Sequence, residues 1–467
     1  MNELTISLDV NSSVPLYEQI YTYIKNDIQN GGLPCQKRLP STRKLAKFLQ
    51  VSRTTVDMAY GQLVLEGYIE AVSCKGYYVC DLQGIYHLKT EAVSKSPEKE
   101  EQRKQWDYDF SPNGVDLNSF PHNAWKKLSK EVLSEENRFL FQLGNPQGEL
   151  ELRETIAAYL HQARGVNAEP EQIVIGAGND FLLLLLCSMF GTGQKIAMES
   201  PTYKKAYELF CNLSNEISIV EMDDSGMCVD KLSETDARIA YVMPSHQYPL
   251  GTVMPIRRRM QLLAWAADDP QRYIIEDDYD SEFRYKGKPI PALQGYDHND
   301  KVIYIGTFSK SIAPAIRVSY MVLPKNLLDL YQKRGSRISC TVSRADQQII
   351  ARFLNQGYYE RHLNRMRAIY KNRHDVLLEA LRAFRKICKV SGEHAGVHIL
   401  LTFTNGMSEQ EAIRSAAEQS IAVYGLSQYF VGEAKPPEAA TVILGYANMS
   451  EDAIKDAMQR LKQAWMV

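Results

Sequence analysis

Gly306-Thr307-Phe308-Ser309-Lys310, with Arg317 seven residues further on, is the stretch best equipped for chemistry. It follows Val302-Ile303-Tyr304-Ile305, an apolar run that reads as a buried strand. A lysine amine at a strand end forms a Schiff base with an aldehyde, while hydroxyls and a guanidinium hold a phosphate. Those are the requirements of pyridoxal 5'-phosphate (PLP). Lys310 is therefore the expected catalytic and cofactor-bearing residue, with Thr307, Ser309 and Arg317 at the phosphate.

Other segments supply the remaining parts of such a pocket. Gly176-Ala177-Gly178 follows a strand-like run and opens a helix at Asn179. Its small residues let main-chain N–H groups face a phosphate at a positive helix end, although glycines also punctuate any tight turn. Tyr203, in Glu199-Ser200-Pro201-Thr202-Tyr203, is placed to stack on a pyridine ring or simply to pack. His246 lies in Ser245-His246-Gln247-Tyr248-Pro249-Leu250-Gly251, whose polar residues are placed to reach the ring hydroxyl. In Ile274-Ile275-Glu276-Asp277-Asp278-Tyr279, a carboxylate buried at the strand end would hold the pyridine nitrogen protonated and Tyr279 would bond the ring oxygen. A metal site or a solvated acidic loop are the other readings of that cluster.

The first eighty residues carry a different chemistry. Between Asp27 and Asp57 every charged residue is basic: Lys37, Arg38, Arg43, Lys44, Lys47 and Arg53. A one-sign island on a helix pair is the footprint of phosphate-backbone binding, although solvated helix faces look similar. Arg43 and Arg53 are expected to reach DNA, Thr54 and Thr55 to contact phosphate or base edges, and Lys75-Gly76 to approach the minor groove.

These residues need elements to hold them. Helical spacing predicts a helix over 15–29, a second over 41–50 capped by Ser41 with Leu45, Phe48 and Leu49 inward, and a third from Ser52 or Arg53 to Glu66. Residues 68–79 alternate as a two-stranded wing, which completes a winged helix-turn-helix. Residues 81–106 are charged and poor in apolar side chains, as in a linker. From 107 to 467 the pattern is α/β. Strands are expected at 173–175, 195–198, 239–243, 273–275, 302–305 and 318–322, forming a mostly parallel sheet. A smaller α+β lobe follows from about 350.

Composition limits the alternatives. The 467 residues are 45% hydrophobic and 24% charged with net charge −2, so a nucleic-acid site must be local. Eight scattered cysteines without a C-x-x-C pair suit a reducing cytosol and no metal centre. No signal peptide or membrane-length apolar run is read.

Leu39-Pro40-Ser41-Thr42-Arg43-Lys44-Leu45-Ala46, Val51-Ser52-Arg53-Thr54-Thr55-Val56, Gly67-Tyr68 and Lys75-Gly76 resemble the GntR superfamily of regulators. Asp57 departs from relatives that carry a basic residue there. Tyr203, Asp277, Tyr279, Thr307, Ser309, Lys310 and Arg317 each match a cofactor position of class I, fold-type I PLP-dependent aminotransferases. The loop 246–251 departs from that family's Asn-Pro-x-Gly pattern. A GntR-type head on such a body resembles the MocR family of bacterial transcriptional regulators. That resemblance implies a cytoplasmic homodimer that binds double-stranded promoter DNA and answers to a small amino compound at the PLP site. In the branch answering to γ-aminobutyrate two arginines would hold its carboxylate. This chain has Lys205 and Gln428 there, which disfavours that effector. An active aminotransferase carrying a DNA-binding module and a retired scaffold used for dimerisation are the competing readings. No arginine for a substrate α-carboxylate is evident in 442–448.

Overall fold

The computed structural model describes residues 6–81, 106–285 and 290–465. The chain divides into two compact units, Met1–Arg103 and Lys104–Val467. The linker expected over 81–106 lies outside the described residues except for its two end positions.

In the first unit, α1 (Leu16–Gln29) buries Ile20, Ile24 and Ile28, one residue per turn. The second helix, α2 (Thr42–Leu49), begins at Ser41, whose hydroxyl accepts the Lys44 N–H at 3.3 Å. Ser52 does the same for α3 (Arg53–Leu65), accepting from the Thr55 N–H at 3.1 Å. Val56, Ala59, Tyr60 and Leu63 of α3 close the core. Strands β1 (Ile69–Val72) and β2 (Gly76–Val79) pair antiparallel as the wing, with Ile69 opposite Val79. One expectation fails. Phe48 is 51% exposed, because the buried stripe of α2 is Thr42, Leu45 and Ala46. Phe48 falls outside the i, i+3, i+4 face that these residues define.

The second unit is centred on seven strands: β3 (Ile173–Gly176), β4 (Lys195–Glu199), β5 (Glu216–Val220), β6 (Ile239–Val242), β7 (Tyr273–Asp278), β8 (Val302–Thr307) and β9 (Ser319–Val322). Their spatial order is β3-β9-β8-β7-β6-β4-β5. Strands β8, β7, β6, β4 and β5 run parallel, while β9 is antiparallel to both its neighbours. Most strand residues are fully buried, as a sheet covered on both faces requires. Sequence pattern missed β5, an edge strand whose residues are mostly half-exposed and which begins at Glu216. Helices α4 (Leu150–Arg164), α5 (Asn179–Phe190) and α6 (Lys204–Asn212) pack about the sheet. Helices α7 (Arg344–Asn355) and α8 (Tyr358–Leu381) then lead out of it.

The smaller lobe is a four-stranded antiparallel sheet of β10 (Cys388–Ser391), β11 (His398–Phe403), β12 (Tyr424–Gly425) and β13 (Thr441–Gly445), ordered β10-β11-β13-β12. It is not purely C-terminal. Tyr108 and Asp109 pair in parallel with Ile421 and Ala422, and the Gly445 N–H bonds the Phe110 carbonyl at 2.9 Å. Phe110 is fully buried in that lobe's core. The chain therefore enters the body through the small lobe before it builds the large sheet.

Candidate cofactor pocket and nucleic-acid face

The pocket lies at the C-terminal ends of β6, β7 and β8, where helices begin and present the free N–H groups of their first turns. It is a partly open concavity lined by polar and aromatic side chains. Lys310, Asp277, Tyr279, Tyr203, Thr307, Ser309 and Arg317 all line it. Residues up to 114 apart in sequence are thus brought together by neighbouring strands and the turns beside them.

Lys310 sits in the turn after β8. Its Nζ has only long contacts, to the Pro112 carbonyl (3.3 Å) and Asn113 Oδ1 (3.4 Å). Burial lowers its pKa to about 8, against a weaker opposing pull from Asp280. Asp277 ends β7. Tyr241 donates to its Oδ2 at 2.5 Å and Asn179 Nδ2 to its Oδ1 at 2.9 Å. Burial nevertheless raises its pKa to about 7, and Asp278 and Asp180 push the same way. Both groups are held away from the charge they would carry in water.

The phosphate end is built around Gly178. Its φ of +92° is open to glycine, and a Cβ there would lie 2.2 Å from Arg317 Nη2. That approach lets the guanidinium lie over the start of α5, where Nη2 contacts the Ala177 carbonyl and Asp180 Oδ2, each at 3.3 Å. Thr307 Oγ1 accepts from the Ser309 N–H at 3.1 Å and from the Ser319 hydroxyl at 2.8 Å. The Ser309 hydroxyl is buried with no partner. An unsatisfied hydroxyl, a guanidinium and a helix start facing one space fit a phosphate.

Some expected positions differ. The Ala177 N–H is donated to Thr341 Oγ1 at 2.9 Å and the Gly178 N–H to the Gly176 carbonyl at 2.9 Å. Gly176, Ala177 and Gly178 thus shape the turn, and the open donors are those of the first turn of α5. His246 does not line the pocket. It is buried behind Tyr279, whose hydroxyl lies 2.9 Å from His246 Nδ1, and that nitrogen lies 2.9 Å from Asp280 Oδ2. Lys205 and Gln428 are exposed and do not line it either. Sequence reasoning overlooked Asn113, Asn179 and Tyr241. Asn179 could have been found as the first residue of the helix after Gly178. Nothing local flags Asn113, which lies 197 residues from Lys310.

The acidic run separates by strand alternation. Glu276 accepts the Leu293 and Gln294 N–H groups at 2.8 and 2.9 Å, and Asp278 pairs with Arg164 at 2.9 Å. Among the described residues no group of side chains could hold a metal ion. No helix among the described residues is long and apolar enough to cross a membrane.

On the head, Arg43, Lys44 and Lys47 are exposed on α2, Thr54 on α3 and Lys75 at the wing tip. Arg53 is 69% exposed and pairs with Asp57 at 3.4 Å, an i, i+4 contact worth about 0.3–0.5 kcal/mol. The Thr55 hydroxyl is engaged by Ser52 at 2.8 Å and is half-buried. Gly76, at φ +111°, lets the Arg38 side chain lie 3.4 Å from where a Cβ would be.

Residues 16–79 match the family described as bacterial regulatory proteins, gntR family, and residues 110–461 match aminotransferase class I and II. The chain is 40% identical to the HTH-type transcriptional regulator YdeL of Bacillus subtilis (strain 168) over the whole of both chains. It is 30% identical to the probable rhizopine catabolism regulatory protein MocR of Rhizobium meliloti, covering 98% of this chain and 95% of that one. The kynurenine aminotransferase of Pyrococcus horikoshii, solved with PMP, superimposes with a TM-score of 0.68 at 26% identity, over 78% of this chain and 91% of that one. A DNA-binding head, an aminotransferase body with a PLP pocket and relatives matching end to end converge: the chain belongs to the MocR family of GntR-type transcriptional regulators.

Proposed function

We propose that Lys310 carries PLP as a Schiff base and that a small amino compound competes for that position, changing how the head occupies promoter DNA. The observation that carries this reading is the meeting of Lys310, Asp277, Arg317 and the unpartnered Ser309 hydroxyl in one pocket. Bound there, PLP supplies an electrophilic carbon and an electron-withdrawing ring. Lys310 presents a partly neutral amine at neutral pH, which is what attack on an aldehyde needs. Asp277 holds a proton at the ring nitrogen, Tyr203 covers the ring, and Arg317 with Ser309 fixes the phosphate. His246 and Asp280 orient the Tyr279 hydroxyl.

The regulator is favoured over a working transaminase by the cations available. Among the described lining residues only Lys310 and Arg317 are basic, and both are committed. β13 (Thr441–Gly445) carries no arginine. A substrate α-carboxylate would lack the bidentate partner that fast turnover needs.

The head (1–80) and the body (107–467) act as domains joined by residues 81–106, in the bacterial cytoplasm where promoter DNA lies. The body works as a homodimer. Phe141 and Leu143 are 80% and 93% exposed, and Leu117 and Leu133 are also exposed large apolar residues in the same part of the chain. Such concentration suits burial by a second copy. Two heads would then read two half-sites.

Purified protein given PLP should turn yellow and bleach with borohydride, and Lys310→Ala should do neither. A colourless wild-type protein would leave only the scaffold reading. Promoter DNA retarded in a gel, and released by salt and by Arg53→Ala, tests the head.

A further inference from the structure

We propose that a second cleft, joined to the Lys310 turn through Tyr359 and Ser311, binds a small zwitterion, with Glu282 taking its ammonium and Arg367 its carboxylate. The cleft lies between α4, the turn after β7 and the start of α8. Its cavity volume is about 440 Å³, larger than that of the cofactor pocket. Tyr159, Glu282, Tyr359 and Arg367 are among its lining residues.

The Glu282 carboxylate is poorly satisfied. Its side-chain partners are two phenol hydroxyls at long range, Tyr159 (3.3 Å) and Tyr359 (3.4 Å), beside its own main-chain N–H. Burial and the neighbouring Asp278 raise its pKa to about 7, and that N–H and Arg164, engaged with Asp278, relieve this only in part. A carboxylate in that state gains most from an incoming cation. Arg367 gives Nε to the Glu282 main-chain carbonyl at 2.8 Å and Nη1 to Asn364 at 3.0 Å. Its guanidinium is therefore anchored beside Glu282, and its Nη2 has no protein partner among the described residues. The carboxylate and the guanidinium line one cleft without an ion pair between them, which leaves each able to take one end of a zwitterion. The phenol rings of Tyr159 and Tyr359, with centroids 5.4 Å apart, add an aromatic wall that favours an ammonium.

The cleft is wired to Lys310. The Tyr359 hydroxyl that touches Glu282 also bonds Ser311 Oγ at 3.0 Å, and His362 Nε2 lies 2.9 Å from the Ser311 carbonyl. Ser311 is the residue after Lys310. A cation that draws Glu282 away from Tyr359 shifts a hydroxyl belonging to the turn that carries the lysine.

The site rests on the chain's own residues, and only its spectral readout rests on the proposed cofactor. Glycine betaine is the probe, because its quaternary nitrogen has no hydrogen and cannot replace Lys310. Calorimetric titration of the full-length chain, with and without PLP, is expected to show saturable binding of one betaine per chain in both. Glu282→Gln should weaken it by at least about tenfold, the loss of one ion–ion contact. Glu282→Asp, which keeps the charge, should retain part of the affinity and covers the case in which Glu282→Gln folds poorly. Tyr359→Phe should bind betaine yet lose most of the shift in the cofactor absorption band. No saturable heat with wild type, or wild-type affinity in both Glu282 variants, overturns the site. Binding without any band shift overturns the coupling to Lys310.

Discussion

Lys310 and Asp277 each titrate close to neutrality, from opposite directions and for the same reason. Both groups are buried by the surrounding protein, so the lysine resists its proton and the aspartate resists losing one. With a pKa of about 8, roughly a tenth of the lysine is neutral at pH 7; at its ordinary value about one molecule in three thousand would be. The rate of PLP incorporation, followed by absorbance, should therefore climb from pH 6 and level off above about pH 9, with its midpoint near 8. Asp277 makes a second, opposite demand. Its folded pKa is raised above the unfolded value of 3.8, so its contribution to stability is fully present below that value and is lost as pH rises through about 7. Asp277→Asn should raise the melting temperature of the cofactor-free protein at neutral pH and flatten its pH dependence between 4 and 7. The same variant should hold PLP less tightly. A variant that melts lower at pH 7.5 would contradict this assignment of the strain.

At the scale of elements, the strands and turns of the site were legible because each ends in a short motif. The strand before Gly306, the acidic end of β7 and the glycine turn before α5 all read directly from local pattern. What pattern could not supply is register. Tyr241 reaches Asp277 because β6 and β7 run side by side, with Ile275 opposite Tyr241, a pairing that no local spacing encodes. Asn113 meets Lys310 only through the fold of the small lobe. Phe48 was misplaced because α2 has only eight residues, too few for its buried stripe to be fixed by periodicity alone. Lys205 and Gln428 were placed by resemblance, and the elements that carry them turn both to solvent. Gly178 is the element-scale test. Gly178→Ala combines a left-handed φ with a Cβ pressed on Arg317. It should cost about 1–3 kcal/mol in urea unfolding and weaken PLP binding well beyond what that loss explains, because the guanidinium must move.

At the scale of the whole molecule, the exposed apolar residues between 117 and 143 predict association. Leu143→Asp with Phe141→Asp should give a monomer in sedimentation, while the secondary structure by circular dichroism stays unchanged. If operator reading needs two heads, the same variant should lose affinity for paired half-sites far more than for one. The path of the chain into the body has its own consequence. The segment that leaves the linker is stitched beside Ile421 and Ala422, then passes Pro112 and Asn113 against the Lys310 amine. The body's first described residues are thus moored to the turn that carries the lysine, so a rearrangement of that turn would be felt where the body begins.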